Sequence, residues 1–397
     1  MLVISLLKNR LRASTARISE IITLNLQSNL LPSIFSVSHS NMHVLLNCFA
    51  TAAIAISCVD GIPLRPRNIS DPNFGPIPSE STYYDDYRGT EAPFPANYTS
   101  PVLPSSSGPP GPDDNLFQNL VAAEWAIFNF YQQAVEVFNK STFIALGFPN
   151  TTYDRIQEIR DIEAGHLRVF QDSISNTSVK PGSCAYDFGF GSDPVDFLAK
   201  QTLIEVSSMV FAAGLVQQAQ SNITKGALVS IGESETRHAV WALIDIWNAD
   251  PFGGPIETSY PYANQILDTT NQFIVSGSCP AENPIYPNPR QNLPQLFFAN
   301  GTSGAPGGNI TFTYDDPENV PTFEEGRSYF AVFFHGLEII SMPFDTITNS
   351  TVIPSKFEEK GVILAIISDQ EGAPTEDSVL AGPLFLMQQP GQLVGSL

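Results

Sequence analysis

Apolar residues recur at three- and four-residue steps through four long stretches of the chain, the spacing of one face of an α-helix. The stretches run over about 114–139, 152–175, 194–220 and 223–248. Inward positions of the second read Ile156, Ile159, Glu163, His166, Phe170, and those of the fourth read Leu228, Ile231, Glu235, His238, Ala242. Asp113 and Asp114 stand before the first stretch and supply N-cap chemistry there. After Trp247 the period changes. DPFGGP breaks the helix, YPYANQILDTTNQFIV reads as a fifth, shorter helix, and CPAENPIYPNPRQNLP is extended. From Asn309 onward the pattern is strand-like, in NITFTY, SYFAVFF, LEIISMP, VILAIIS and PLFLM, with Gly, Pro, Asn and Asp between them. The predicted fold class is mainly α: a four-helix bundle followed by a small C-terminal antiparallel β-sandwich.

Linker lengths order the bundle. The third and fourth helices are separated by only a few residues and must be antiparallel neighbours. The second and third are separated by about 18 residues, enough at about 3.3 Å each to run the length of a helix. Two hairpins joined by one long crossover is the expected connectivity. The divisions this implies are an N-terminal extension with a signal peptide over 1–57, a disordered Pro/Ser/Gly-rich linker over 58–112, and the bundle over 113–250. A helix and Pro-rich connector follow over 251–299, and the β domain over 300–397.

Charge narrows the partners. Asp and Glu number 40 against 19 Lys and Arg, for a net charge of -21, which argues against nucleic acid and anionic membranes and favours cations. The run MHVLLNCFATAAIAISCVDG from Met42 has signal-peptide length, is too short to span a bilayer, and places cleavage near Ser57. Residues 1–41 read either as a basic, transit-like segment or as an upstream extension, so Met1 and Met42 both stand as starts. Asn-x-Ser/Thr sequons at Asn68, Asn97, Asn139, Asn150, Asn176, Asn222, Asn300, Asn309 and Asn349 predict glycosylation and agree with secretion to the extracellular space or cell wall. Cys48 and Cys58 belong to the signal region. Cys184 and Cys279 remain, to be paired as a disulfide or to stay as two buried thiols.

The candidate chemistry lies inside the bundle. Beyond residue 57 the chain has three histidines, His166, His238 and His335, and two of them carry a Glu three residues earlier. Residues three apart share a helix face, so Glu163/His166 and Glu235/His238 both point with the apolar residues. The first helix adds Glu124 on the face of Ile127, Phe128 and Tyr131, and the third adds Glu205 among Leu198, Thr202 and Met209. Four buried carboxylates beside two imidazoles are costly unless cations lie between them, and two divalent ions would satisfy all six. The metal ligands expected are therefore Glu124, Glu163, His166, Glu205, Glu235 and His238. Asp161, Glu158, Glu136 and Glu233 read as solvated face residues, and Asp245 as a candidate partner for a ligand histidine.

One Glu from each of two helices and Glu-x-x-His from each of two others resembles the ferritin-like di-iron carboxylate superfamily. More narrowly, the chain is similar to secreted fungal ferritin-like proteins related to stress-response, desiccation and sexual-development proteins. The resemblance covers about 114–295 and implies two ions, iron first and manganese next, with O2 or peroxide as co-substrate. It marks Tyr131, seven residues after Glu124, as a catalytic candidate. It implies an oxidase, ferroxidase or peroxide-handling role. The other expectation is non-catalytic: an extracellular stress or development glycoprotein that uses the bundle as a scaffold, with cell-wall or protein partners reached through the β domain. His335 lacks the second His and the later Cys that a blue-copper site needs.

Overall fold

Three of the four long helices begin on a residue suited to start them. Pro194 opens its helix behind Asp193, whose side chain accepts the N–H groups of Val195 and Asp196. Ser221 caps the next at Ile223 N, and Asp113 stands at the N-cap position of the first. The computed structural model describes residues 87–252, 257–262, 265–284, 293–299, 301–314 and 316–390. The signal-like run, the extension before it, Asn68 and Asn300 lie outside the described residues.

The helices are α1 (Asp114–Val137), α2 (Lys140–Ala145), α3 (Thr152–Ser173), α4 (Pro194–Leu215), α5 (Asn222–Trp241) and α6 (Gln265–Asn271). α1 packs on α3 and α4 on α5, and the long segment 174–193 crosses between the two pairs. Among the described residues no helix is long and apolar enough to cross a membrane. Asp113 and Asp114 differ from the expectation. Neither caps α1 in the ordinary way. Asp113 accepts from Gln220 N, Ser221 N and Thr224 Oγ1 at the α4–α5 link, and Asp114 from Ser175 N and Ser178 Oγ beyond the end of α3. Each carboxylate thus ties the start of α1 to the rest of the bundle. Burial pushes both carboxyls upward, but these hydrogen bonds outweigh it and hold them below the usual range.

Residues 87–112 correct the reading of 58–112 as a disordered linker. Phe94 is buried in the core beside Trp125 and Phe128. The strap has almost no regular structure, and side chains satisfy its carbonyls instead. Arg160 donates to Gly89 O and Glu91 O, Arg168 to Pro93 O, Gln157 to Arg88 O and Gln132 to Thr90 O. Asp161 is a second correction. It is buried, and it accepts from Arg160 Nε at 2.6 Å and from Arg88 N at 3.1 Å. The strap covers what would otherwise be a solvated face of α3.

The crossover is held by the Cys184–Cys279 disulfide, which joins it to the segment after α6. An isolated bridge between Tyr186 and Ile274 lies beside it. Tyr186, Phe188 and Phe190 stack in series, and Phe190 packs on Phe197 of α4.

Among the described residues the C-terminal part holds seven strands: β1 (Phe297–Phe298), β2 (Asn309–Thr313), β3 (Phe330–His335), β4 (Glu338–Pro343), β5 (Ser350–Val352), β6 (Val362–Ser368) and β7 (Val379–Met387). They form two antiparallel sheets, β1-β2-β5 and β4-β3-β6-β7, arranged as a sandwich. β6 is buried along its whole length. Ile363, Ala365 and Ile367 face the sandwich core, while Val362, Leu364 and Ile366 face Val206, Val210 and Phe211 of α4 together with Tyr260 and Tyr262. That two-sided burial explains an unbroken apolar run where one buried face would give alternation. Gly214 allows the close approach on the α4 side, since a Cβ there would lie 1.7 Å from Tyr260 O. His335 is a buried structural residue, with its Nδ1 2.9 Å from Val362 O and Glu358 N donating to its Nε2.

Candidate metal centre

Six side chains from four helices meet in the middle of the bundle. Glu124 comes from α1, Glu163 and His166 from α3, Glu205 from α4, and Glu235 and His238 from α5. All six are buried, with Glu163 and Glu205 completely so. Their donor atoms form two groups of metal-binding spacing: Glu124, Glu163 and His166, and Glu163, Glu205, Glu235 and His238.

Distances give each residue a place. His166 Nδ1 lies 2.9 Å from Glu163 Oε2, 3.1 Å from Glu235 Oε1 and 3.4 Å from Glu124 Oε1. His238 Nδ1 lies 3.1 Å from both Glu163 Oε1 and Glu205 Oε2, and 3.8 Å from Glu235 Oε2. Glu163 and Glu235 therefore each offer one oxygen to either histidine, while Glu124 serves only the His166 end and Glu205 only the His238 end. The arrangement is two-ended, with a terminal Glu and a His at each end and two carboxylates spanning the middle.

Hydrogen bonding alone does not account for it. One Nδ1–H can be donated along one direction, yet three carboxylate oxygens converge on each Nδ1. Glu124 Oε1, Glu163 Oε1 and Glu235 Oε2 are buried without a well-aligned hydrogen bond. Buried carboxylate oxygens lacking donors are costly. Carboxylate and imidazole donors at this spacing suit divalent first-row ions, and the residues present fit a pair of them.

Burial and neighbouring charge pull these groups in opposite directions. Burial, followed by the Glu163 charge, pushes Glu124 well above the usual carboxylate range, and burial also raises Glu205. Burial acts in the same direction on Glu163 and Glu235. For Glu163 the histidines outweigh it, and for Glu235, where Glu163 adds to the upward push, they still hold the carboxyl low. Burial opposes the charged form of His166 and His238, but the carboxylates around them raise both well above the ordinary imidazole value. Carboxylate and imidazole ligands bind a metal in their deprotonated forms, so divalent ions bound here would displace protons from the cluster.

Tyr131 is fully buried, and its hydroxyl donates to Glu205 Oε1. Burial and the carboxylates of Glu205 and Glu163 raise its phenol well above the ordinary value. Gln201 escaped the sequence reading. It is wholly buried one turn before Glu205 on α4, and its Oε1 accepts from Thr202 Oγ1 at 3.3 Å. Thr202 in turn accepts from Trp247 Nε1 at 2.8 Å. The four-residue step from Gln201 to Glu205 was the signal available. Asp245 does not partner His238. After Trp241 the helix widens into a π-helical turn over Ala242–Ile246, which alters the register, and Asp245 is exposed.

Residues 112–244 match the family model of the ferritin-like domain. The match spans α1 to α5 and contains all six residues of the cluster; the β domain lies outside it. No curated protein matches the chain at a significant level.

Proposed function

We propose that this protein is a secreted glycoprotein whose bundle binds two divalent redox-active ions, iron first and manganese next. We propose that it uses them as an oxidase, ferroxidase or peroxide-handling centre. The observation that carries this reading is the pair of spanning carboxylates, Glu163 and Glu235, each within reach of both His166 and His238. When bound, the two ions supply electrons to O2 or peroxide.

The chain's own residues set the conditions for that chemistry. Glu124 with His166 and Glu205 with His238 hold the two ends, and Glu163 and Glu235 fix the distance between them. Burial of all six groups excludes bulk water and strengthens each electrostatic contact. Tyr131 holds its proton at Glu205 Oε1 and is the hydroxyl placed to pass it. Trp247 and Thr202 fix the segment of α4 that carries Glu205.

Support for export is indirect. The sequon residues Asn97, Asn139, Asn150, Asn176, Asn222 and Asn309 are exposed, Asn349 is half-buried, and the disulfide belongs to oxidising surroundings. A role in stress response or development rests on the resemblance alone.

The test is elemental analysis and Fe(II) titration of the full chain expressed with its leader in a eukaryotic host. About two ions per chain are expected, with oxygen or peroxide consumed after Fe(II) loading. The same material, shifting to lower mass with an N-glycosidase, checks the glycan assignment. Protein that takes up no ion, and whose stability is unchanged by Glu163→Ala or His238→Ala, would leave the non-catalytic scaffold reading in its place.

A further inference from the structure

Outside the metal centre, a partly open cavity of about 210 Å³ lies where the bundle meets the β domain. α1 contributes Ile127, α4 contributes Leu203 and Ser208, the segment after α6 contributes Phe273, and β7 contributes Leu384 and Phe385. The space follows from how the sheet seats on α4. Val206, Val210 and Phe211 hold it over one stretch. Pairing of β6 with β7 then shifts between Ala365 and Ile367, beside Gly382 and Pro383, and both of these line the cavity. An irregularity of this kind re-aims a strand and is common at the rims of binding sites.

The opposite wall is braced. Phe188 of the crossover packs on Phe273 with ring centroids 5.1 Å apart. Asp187 N donates to Phe273 O at 2.8 Å and Val275 N to Ala185 O at 2.9 Å. The disulfide joins the same two segments. Close-packed interiors do not leave a void of this size without consequence, and a braced wall prevents its collapse.

The lining specifies an occupant. It is mostly apolar, and its one charged residue among the described residues, Lys200, is already paired with Asp196. The hydroxyls of Ser207 and Thr270 donate to the carbonyls of Leu203 and Ile266. Ser208 has no such bond among the described residues and keeps a hydroxyl for a ligand. A cavity of about 150 Å³ admits benzene, so this one, at about 210 Å³, has room for a ring with small substituents. We propose that the cavity binds a small, uncharged ring compound bearing a single hydroxyl, with the ring against Leu203, Phe273 and Phe385 and the hydroxyl at Ser208. Charged analogues are excluded because no unpaired countercharge lines the space among the described residues.

The probe is 4-fluorobenzyl alcohol, titrated into the full chain and followed by fluorine NMR. Saturable binding at one site with a Kd of about 1 mM or tighter is expected for a ligand of this size. Chelator-treated and Fe(II)-loaded protein should bind it alike, so this result and that of the metal titration are separable. 4-Fluorobenzoate and 4-fluorobenzylammonium should bind at least about tenfold more weakly. Ser208→Phe fills the cavity from α4 and Thr270→Phe from α6, and each should weaken the alcohol at least about tenfold. Whichever variant keeps wild-type helicity by circular dichroism decides. No saturable binding to the wild-type chain, equal binding of the charged analogues, or unchanged binding in a folded filled variant would each overturn the proposal.

Discussion

Glu163 reaches both histidines of the centre: its Oε2 lies 2.9 Å from His166 Nδ1 and its Oε1 3.1 Å from His238 Nδ1. His166 is one turn along the same helix, whereas His238 belongs to α5, so contact across the bundle is what makes this carboxylate common to both ends. Glu124 has no such reach, with His166 as its only histidine neighbour among the described residues. Glu163→Gln should therefore weaken both ions together, by at least about tenfold. Glu124→Gln should leave about one tightly held ion per chain, at the His238 end. Calorimetric titration with Fe(II) under argon distinguishes the two patterns, and equal loss in both variants would refute the two-ended description.

Stability should respond to pH in opposite senses with and without metal. His166 and His238 have folded-state values above the ordinary 6.5. Their contribution is complete below that value and is lost as pH rises. Glu124 and Glu205, raised above 4.5, add to the same loss from lower pH onward. Glu163 and Glu235 are depressed, so their contribution is present above 4.5 and is lost only as pH falls. Chelator-treated protein should be most stable near pH 5 and weaken toward pH 8, by up to roughly 1.4 kcal/mol per pH unit for each proton retained by the fold. Metal-loaded protein should gain stability over the same interval, because ion binding displaces those protons. Thermal melts across this range, with chelator and with Mn(II), check the sign.

Arg160 is the hinge pin of the N-terminal strap. It is fully buried, pairs with Asp161, and donates to Gly89 O, Glu91 O and Gln132 Oε1. Arg160→Ala leaves the Asp161 charge buried with its principal partner gone, which costs about 3–5 kcal/mol. Denaturant titration should show that loss, and limited proteolysis should cut first within 87–105.

Gly214→Ala should act on the contact between α4 and the connector. The added Cβ would lie 1.7 Å from Tyr260 O, and backbone cannot swing aside as a side chain can. The expected cost is about 1–3 kcal/mol, read as a lower melting temperature with metal stoichiometry unchanged, because Gly214 lies more than two turns beyond Glu205 on the same helix.

Much of the bundle was legible because its information is local. A 3.6-residue period and the Glu-x-x-His spacing on α3 and α5 are properties of short segments, and each survives without knowledge of neighbours. The connection lengths carried the pairing of the helices for the same reason. Among the strands, NITFTY, SYFAVFF, LEIISMP, VILAIIS and PLFLM were read as strand-like runs bounded by Gly, Pro, Asn and Asp. β1 and β5 were missed, since Phe297–Phe298 and Ser350–Val352 are too short to show a period.

Other features were decided by contacts between distant segments. The strap over 87–112 looked unstructured because its order comes from Arg160, Arg168, Gln157 and Gln132 reaching its carbonyls, not from any pattern of its own. Asp161 looked solvated because nothing in its neighbourhood announces that Arg88 returns from far upstream to cover it. The π-helical turn that carries Asp245 away from His238 has no mark in the spacing of the residues. By itself, then, the sequence determined which side chains point inward on each helix, because orientation follows from the geometry of one helix. Only the tertiary structure decided that Glu163 and Glu235 span both histidines, that Asp113 ties α1 to a distant link, and that the β sheet closes a cavity against α4, because each depends on how separately formed elements come to rest against one another.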